Sequence, residues 1–208
     1  MSQINVNKVI SPTQAASAGP SIEIASNGNM SLDTDTIFVD STNNRIGIGT
    51  ATPNRTLDIQ QSGGVLFNAG VIFETCPLTG TGLSGTANHN VESGNALYYN
   101  GGASGNWTYN IRYNASATLD SKMSTGETIN VSYITSVGGS SYYQSGFQID
   151  GSSTTVYWVD SNQPVQGGGR DSGSDPATSG FDVYTFMINK TGSNAYNVQG
   201  SQTHFGSF

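Results

Sequence analysis

The chain is poor in charge. Only 10% of its 208 residues are Asp, Glu, Lys or Arg, against about 25% in an ordinary soluble protein. Lys and Arg together number seven, and lysine stands only at Lys8, Lys122 and Lys190. So few scattered cations cannot line a phosphate backbone or an anionic bilayer, and a formal net charge of −7 opposes both. Neither nucleic acid nor a membrane is therefore expected as a partner. The single cysteine, Cys76, excludes an internal disulfide and cannot build a metal site alone. It is expected as a small buried hydrophobe. No run approaches the ~20 apolar residues of a membrane span, and the first twenty residues hold no apolar stretch of signal length. Neither a membrane span nor signal-led secretion is expected. The strong helix formers are scarce, which excludes a protein of long helices.

What fills the chain instead is Gly, Ser, Thr and Asn, which hold 97 of the 208 positions. These residues favour turns, caps and β-edges. Hydrophobic residues still make up 35% and aromatics 10%, with 10 Tyr and 8 Phe. That is enough to build a core, so wholesale disorder is not expected. The fold class that follows is all-β.

Residues 1–31 form a polar leader. INVNKVI reads as one short strand and SIEIASNGNM as a second, ending in an Asn27-Gly28 turn. The leader holds too little apolar surface to stand alone, so it is expected to dock on a partner. Residues 32–60 are denser. Ile37-Phe38-Val39 is a strand, Asp40–Asn44 a turn, and Ile46 and Ile48 alternate with Gly47 and Gly49. Glycine within a strand marks a close approach of another backbone. The small–large alternation suits packing around an axis shared by several chains, so Ile46, Gly47, Ile48 and Gly49 are the candidate assembly residues.

The run FVDSTNNRIGIGTATPNRTLDI resembles a module of tail-fibre proteins of tailed bacteriophages, with Asn43, Asn44, Arg45, Ile46, Gly47, Ile48, Gly49, Thr50, Pro53, Leu57 and Asp58 at the matching positions. The resemblance implies an intertwined, homotrimeric β-structure.

Residues 61–64, QSGG, read as a hinge, and residues 65–208 as one domain. Strands are predicted at 65–75, 95–99, 107–113, 128–135, 142–149, 154–159, 182–189 and 195–199. Turn signals include Asn100-Gly101-Gly102, Asp150-Gly151 and Lys190-Thr191-Gly192. The spacing predicts an antiparallel sandwich or jelly roll. Trp107, Tyr109, Ile111 and Tyr113 share one face of their strand, as do Ile129, Val131 and Tyr133. The strand at 182–189 is apolar on both faces, which predicts a central position or burial against a neighbouring chain. The segments ALYYNGGASGNWTYNIRY, TGETINVSYITSVGGSSYYQSGFQIDG and FDVYTFMINKTGSNAYNVQGSQTHFG resemble a C-terminal domain of structural proteins of marine cyanobacterial phages. That resemblance implies a virion component on the particle's exterior.

Catalytic chemistry is thinly supplied. His89 is expected in a loop and His204 at the end of the last strand, and no nucleophile elbow accompanies either. Asp33, Asp35 and Asp40 offer hard oxygens without the glycine and distal glutamate of a calcium loop. They read as turn formers. Glu74, Glu92 and Glu127 form no evident pair for glycoside hydrolysis, and no cofactor is called for. Residues 161–180 form a long polar loop in which Gln163, Arg170, Asp171 and Asp175 are candidates for receptor contact. Of the adjacent aromatic pairs, one ring each should face outward, and Tyr98, Tyr142 and Tyr157 are the candidates, suited to stacking on a host-surface glycan. The function expected is a non-enzymatic homotrimeric phage fibre, attached through residues 1–31 and touching the host with its C-terminal head. The alternative is a capsid-decoration, baseplate or neck component without receptor binding, and a free carbohydrate-binding module is a third class.

Overall fold

The computed structural model describes residues 8–10, 21–32, 36–60, 65, 73–137, 142–161, 164 and 180–206, with 8–10 and 21–23 by backbone only. The chain is all-β and divides into two compact units, Met1–Gly70 and Val71–Phe208. No helix among the described residues is long and apolar enough to cross a membrane.

The first unit is a six-stranded sheet whose strands follow in sequence order: β1 (Lys8–Ile10), β2 (Ser21–Ile24), β3 (Met30–Leu32), β4 (Ile37–Asp40), β5 (Arg45–Ile48) and β6 (Leu57–Ile59). The first four pairings are antiparallel and the last is parallel. β3 spans the division expected at residue 31, so leader and module share one sheet. The expected Asn27-Gly28 turn joins β2 to β3, with Gly28 at φ 87°.

The second unit stacks two sheets. Its strands are β7 (Leu78–Gly82), β8 (Gly85–Asn90), β9 (Ala96–Gly101), β10 (Trp107–Arg112), β11 (Thr128–Ser136), β12 (Gln144–Ile149), β13 (Ser152–Ser153), β14 (Val156–Trp158), β15 (Phe181–Gly192) and β16 (Ala195–Phe205). One sheet runs β13-β12-β10-β8 and the other β14-β16-β15-β11-β9-β7. The expectation of antiparallel pairing is corrected here. It holds for β12/β13, β11/β15 and β15/β16, while β8/β10, β10/β12, β7/β9, β9/β11 and β14/β16 are parallel. From β7 to β12 the chain crosses to the opposite sheet after every strand. Neighbours within a sheet are therefore alternate strands that run the same way.

The core lies between these sheets. Trp107, Tyr109 and Ile111 of β10 face Val131 and Tyr133 of β11 and Tyr184, Phe186 and Ile188 of β15. The Tyr109 ring stacks on Tyr133 at 4.0 Å between centroids, Tyr133 stacks on Tyr184 at 4.6 Å, and Phe147 packs on Phe186 at 4.7 Å. β15 is a central strand, but its second apolar face looks outward, with Met187 46% exposed. The predicted Asp150-Gly151 turn joins β12 to β13, with both residues at positive φ. Asn100-Gly101-Gly102 is no turn at its start, because β9 runs through Gly101. There a Cβ would lie 2.7 Å from the Gly80 carbonyl oxygen, so only glycine lets β7 come alongside. Most of the strand expected at 65–75 lies outside the described residues, and residues 73–75 are irregular.

Candidate interaction surfaces

The signature of the first unit has an internal explanation. Asp40 closes the β4–β5 turn. Its carboxylate accepts the amides of Thr42 (3.0 Å) and Asn43 (3.1 Å) and the Asn43 side-chain amide (2.7 Å). That last bond holds the Asp40 carboxyl below its ordinary range. Its oxygens are occupied by the turn, as the turn-forming reading of this acid requires; Asp33 and Asp35 lie outside the described residues. Asn44 sits at φ 55° in the same turn. Arg45 donates to the Pro53 carbonyl at 2.8 Å, and Asp58 caps the Asn54 amide at 2.8 Å, so the loop between β5 and β6 is clamped at both ends.

Gly47 is buried, and a Cβ there would stand 2.2 Å from the Thr50 carbonyl oxygen. Gly49 has φ 72°. Both glycines thus serve their own chain's loop, a role the expected inter-chain packing did not include. Gly47→Ala is expected to cost about 1–3 kcal/mol by forcing that backbone apart. Hydrogen exchange would show it as faster exchange across residues 37–48 with residues 128–136 unchanged.

Ile46 and Ile48 belong to the other face of this sheet. The register sets Ile24, Met30, Val39, Ile46 and Leu57 in one cross-strand row, and Leu32, Ile37, Ile48 and Ile59 in the next. All nine are apolar. Within this unit Ile24 is 48% exposed, Ile46 43%, and Leu57 57%. The opposite face carries Ser31, Phe38, Gly47 and Asp58 in its corresponding row.

In the second unit most polar groups of the core are paired, the Tyr184 hydroxyl being an exception. Trp107 Nε1 donates to Tyr133 Oη at 3.0 Å, and Tyr133 donates to Gln144 Oε1 at 2.7 Å. His89 lies in β8, 2% exposed, rather than in a loop. Alternation along β8 turns Ala87 and His89 inward. Its Nε2–H donates to the Gly94 carbonyl at 2.8 Å, so Nδ1 is the acceptor for the Tyr109 hydroxyl at 2.7 Å. Burial pushes its pKa down, against the opposing pull of the Gly94 bond. Both ring nitrogens are thus engaged. His204 lies in β16, and its Nδ1 is 2.9 Å from Asp182 Oδ1. Nε2 of His204 meets no hydroxyl among the described residues. No group of three or more His, Cys, Asp or Glu side chains among them is placed to hold a metal ion. Cys76 is exposed, against expectation, because residues 73–77 run irregularly outside the two sheets. Lys190 is buried, its ammonium 2.8 Å from Asp120 and donating to the Met123 carbonyl. It ties the loop before β11 to the β15–β16 hairpin.

The outward aromatics separate. Tyr157 is 64% exposed while its neighbour Trp158 packs on Phe186. Tyr98 is half-buried, edge-on to Phe181 at 5.9 Å, with Tyr99 turned into the core. Tyr142, expected at the surface, instead packs against the core. Gln163, Arg170, Asp171 and Asp175 lie outside the described residues. The feature that sequence reasoning missed is a groove of about 810 Å³ on the outer face of the six-stranded sheet, floored by β11, β15 and β16. Its signal was the polar alternation of Asn130 with Ser132 and of Gln199 with Ser201.

No family model, no curated protein and no solved structure matches this chain.

Proposed function

We propose that the protein is a non-enzymatic structural component of a phage particle, a homotrimeric fibre. Its N-terminal sheet joins three copies, and its C-terminal sandwich meets the host surface. Residues 1–31 contribute to attachment on the particle. The observation that carries this reading is the apolar face of the first unit: nine apolar side chains at consecutive register positions, several of them about half exposed. A contiguous face of that kind marks an interface. Burying a half-exposed Ile or Leu contributes about 1 kcal/mol. Ile24, Ile37, Ile46, Leu57 and Ile59 from each of three chains together contribute on the order of 15 kcal/mol, against two association steps of about 4–15 kcal/mol each. Threefold stoichiometry comes from the resemblance of NNRIGIGTATP to fibre modules.

Light scattering on the full-length chain tests this. The expected mass is three times 21.7 kDa. Ile46→Asp with Leu57→Asp is expected to return it to one copy while the near-ultraviolet circular dichroism of the aromatic core persists. A monomeric parent chain overturns the fibre reading. Antibody labelling of particles then locates it, and label confined to the capsid would favour a decoration protein.

A further inference from the structure

We propose that the groove on the outer face of β11, β15 and β16 binds an uncharged glycan chain. The inference rests on the reading above only for the source of the glycan, a host surface. The register sets Asn130, Met187, Gln199 and Tyr157 in one row across four adjacent strands. At about 4.8 Å between strands, that row is about 14 Å long, the length of a short oligosaccharide. The next row is Ser132, Thr185 and Ser201. The groove's volume falls within the range of small-ligand sites.

The chemistry selects the ligand. The polar side chains of both rows are amides and hydroxyls, each able to donate and to accept. Sugar hydroxyls have the same dual character. Asn130 and Ser132 make no side-chain hydrogen bond to the described residues. Thr185 and Ser201 hydroxyls bond each other at 2.6 Å. The Gln199 amide nitrogen donates to Asn197 at 2.7 Å, but its buried Oε1 has no partner. A buried amide oxygen left unpaired is costly, and a ligand hydroxyl donating to it relieves that cost. Met187, 46% exposed, lines the groove, and Tyr157, 64% exposed, stands beside Gln199 at the end of the row, beyond the lining residues; they supply soft and flat apolar contact for the C–H faces of sugar rings.

Charge excludes the other polymers. Glu74 is the one charged residue among the described lining residues, and no cation stands there. A nucleic acid or an acidic polysaccharide would meet no counter-charge on a chain of net charge −7. The groove's polar contacts are amides and hydroxyls set beside Met187, and no arginine stands among its described lining residues to anchor a protein partner.

The test is an array of neutral and anionic bacterial polysaccharides probed with the full-length protein, followed by titration with a neutral oligosaccharide cut from the strongest binder. Binding to neutral members, insensitive to added salt, is expected. Tyr157→Ala should weaken it about fivefold to tenfold. Asn130→Ala with Ser132→Ala should abolish it, with the circular dichroism of each variant unchanged. Tyr157 and Asn130 are exposed, so loss of binding would not reflect loss of fold. Binding restricted to anionic members, no binding, or equal binding by the variants overturns the proposal. The mass of the same sample separates the two readings. A trimer that binds nothing overturns the groove alone, and a monomer that binds neutral glycan overturns the fibre alone.

Discussion

Tyr133→Phe is expected to lower the stability of the second unit by about 2–4 kcal/mol, although it removes a single oxygen. Tyr133 is fully buried and its hydroxyl joins two groups. It accepts from Trp107 Nε1 at 3.0 Å and donates to Gln144 Oε1 at 2.7 Å. Trp107 is 2% exposed and Gln144 3%, so water cannot replace the lost partner. Each orphaned group costs about 1–3 kcal/mol. The aromatic stack is unaltered, because the Phe ring keeps the Tyr109 and Tyr184 contacts at 4.0 and 4.6 Å. The effect is therefore polar in origin. For a chain of this size it corresponds to a fall of about 10 °C in Tm. Adding Gln144→Met removes one of the two orphans, so the double variant should be no less stable than Tyr133→Phe alone. Tyr157→Phe is the control, since its hydroxyl is in water, and no change is expected. Thermal melts followed in the near ultraviolet read all three. A Tyr133→Phe chain as stable as the parent would show that this hydrogen-bonded chain adds nothing to the fold.

That network also shows where sequence reading succeeds and where it stops. Trp107, Tyr109 and Ile111, spaced by two, were legible as one buried face because side-chain alternation depends on nothing beyond the strand itself. The same holds for Tyr184, Phe186 and Ile188, and for the Asp150-Gly151 turn. Pairing was not legible. A short Gly-containing connection turns the chain equally well into a hairpin, as between β12 and β13, or across to the other sheet, as between β8 and β9. Only the first gives antiparallel neighbours. β7 (LTGTG) and β8 (GTANHN) carried no apolar alternation. They are strands because β9 and β10 offer them ladder partners. The apolar face of the first unit was visible strand by strand as Ile37, Ile46, Ile48, Leu57 and Ile59. Its continuity needed the register. The groove left only a faint polar alternation in the sequence, for the opposite reason. Asn130, Ser132, Thr185, Gln199 and Ser201 are ordinary outward polar residues, and they become a site only when three strands lie side by side.

Mild acid should destabilise the second unit through His89. The ring is neutral in the fold, because its Nε2–H goes to the Gly94 carbonyl and its Nδ1 accepts the Tyr109 hydroxyl. Burial depresses its pKa below the ordinary 6.5. The Tyr109 phenol, raised by its own burial, remains a neutral donor throughout. The unfolded chain takes up the proton first, near pH 6.5. Stability contributed by the neutral ring is therefore full above that pH and lost as the pH falls towards the depressed folded value. Between the two values the slope is about 1.4 kcal/mol per pH unit. Asp40 and Asp120 add little above pH 5, since their folded values are lowered, by the Asn43 amide and by Lys190 respectively. Urea denaturation at pH 7.5, 6.5, 5.5 and 5.0 measures the slope. His89→Gln is expected to lower stability at pH 7.5 and to flatten the profile between 6.5 and 5.0. A parent profile that is flat from pH 7.5 to 5.0 would mean that protonated His89 is accommodated between Tyr109 and Gly94, and the buried ring would then not be the acid-sensitive point of this fold.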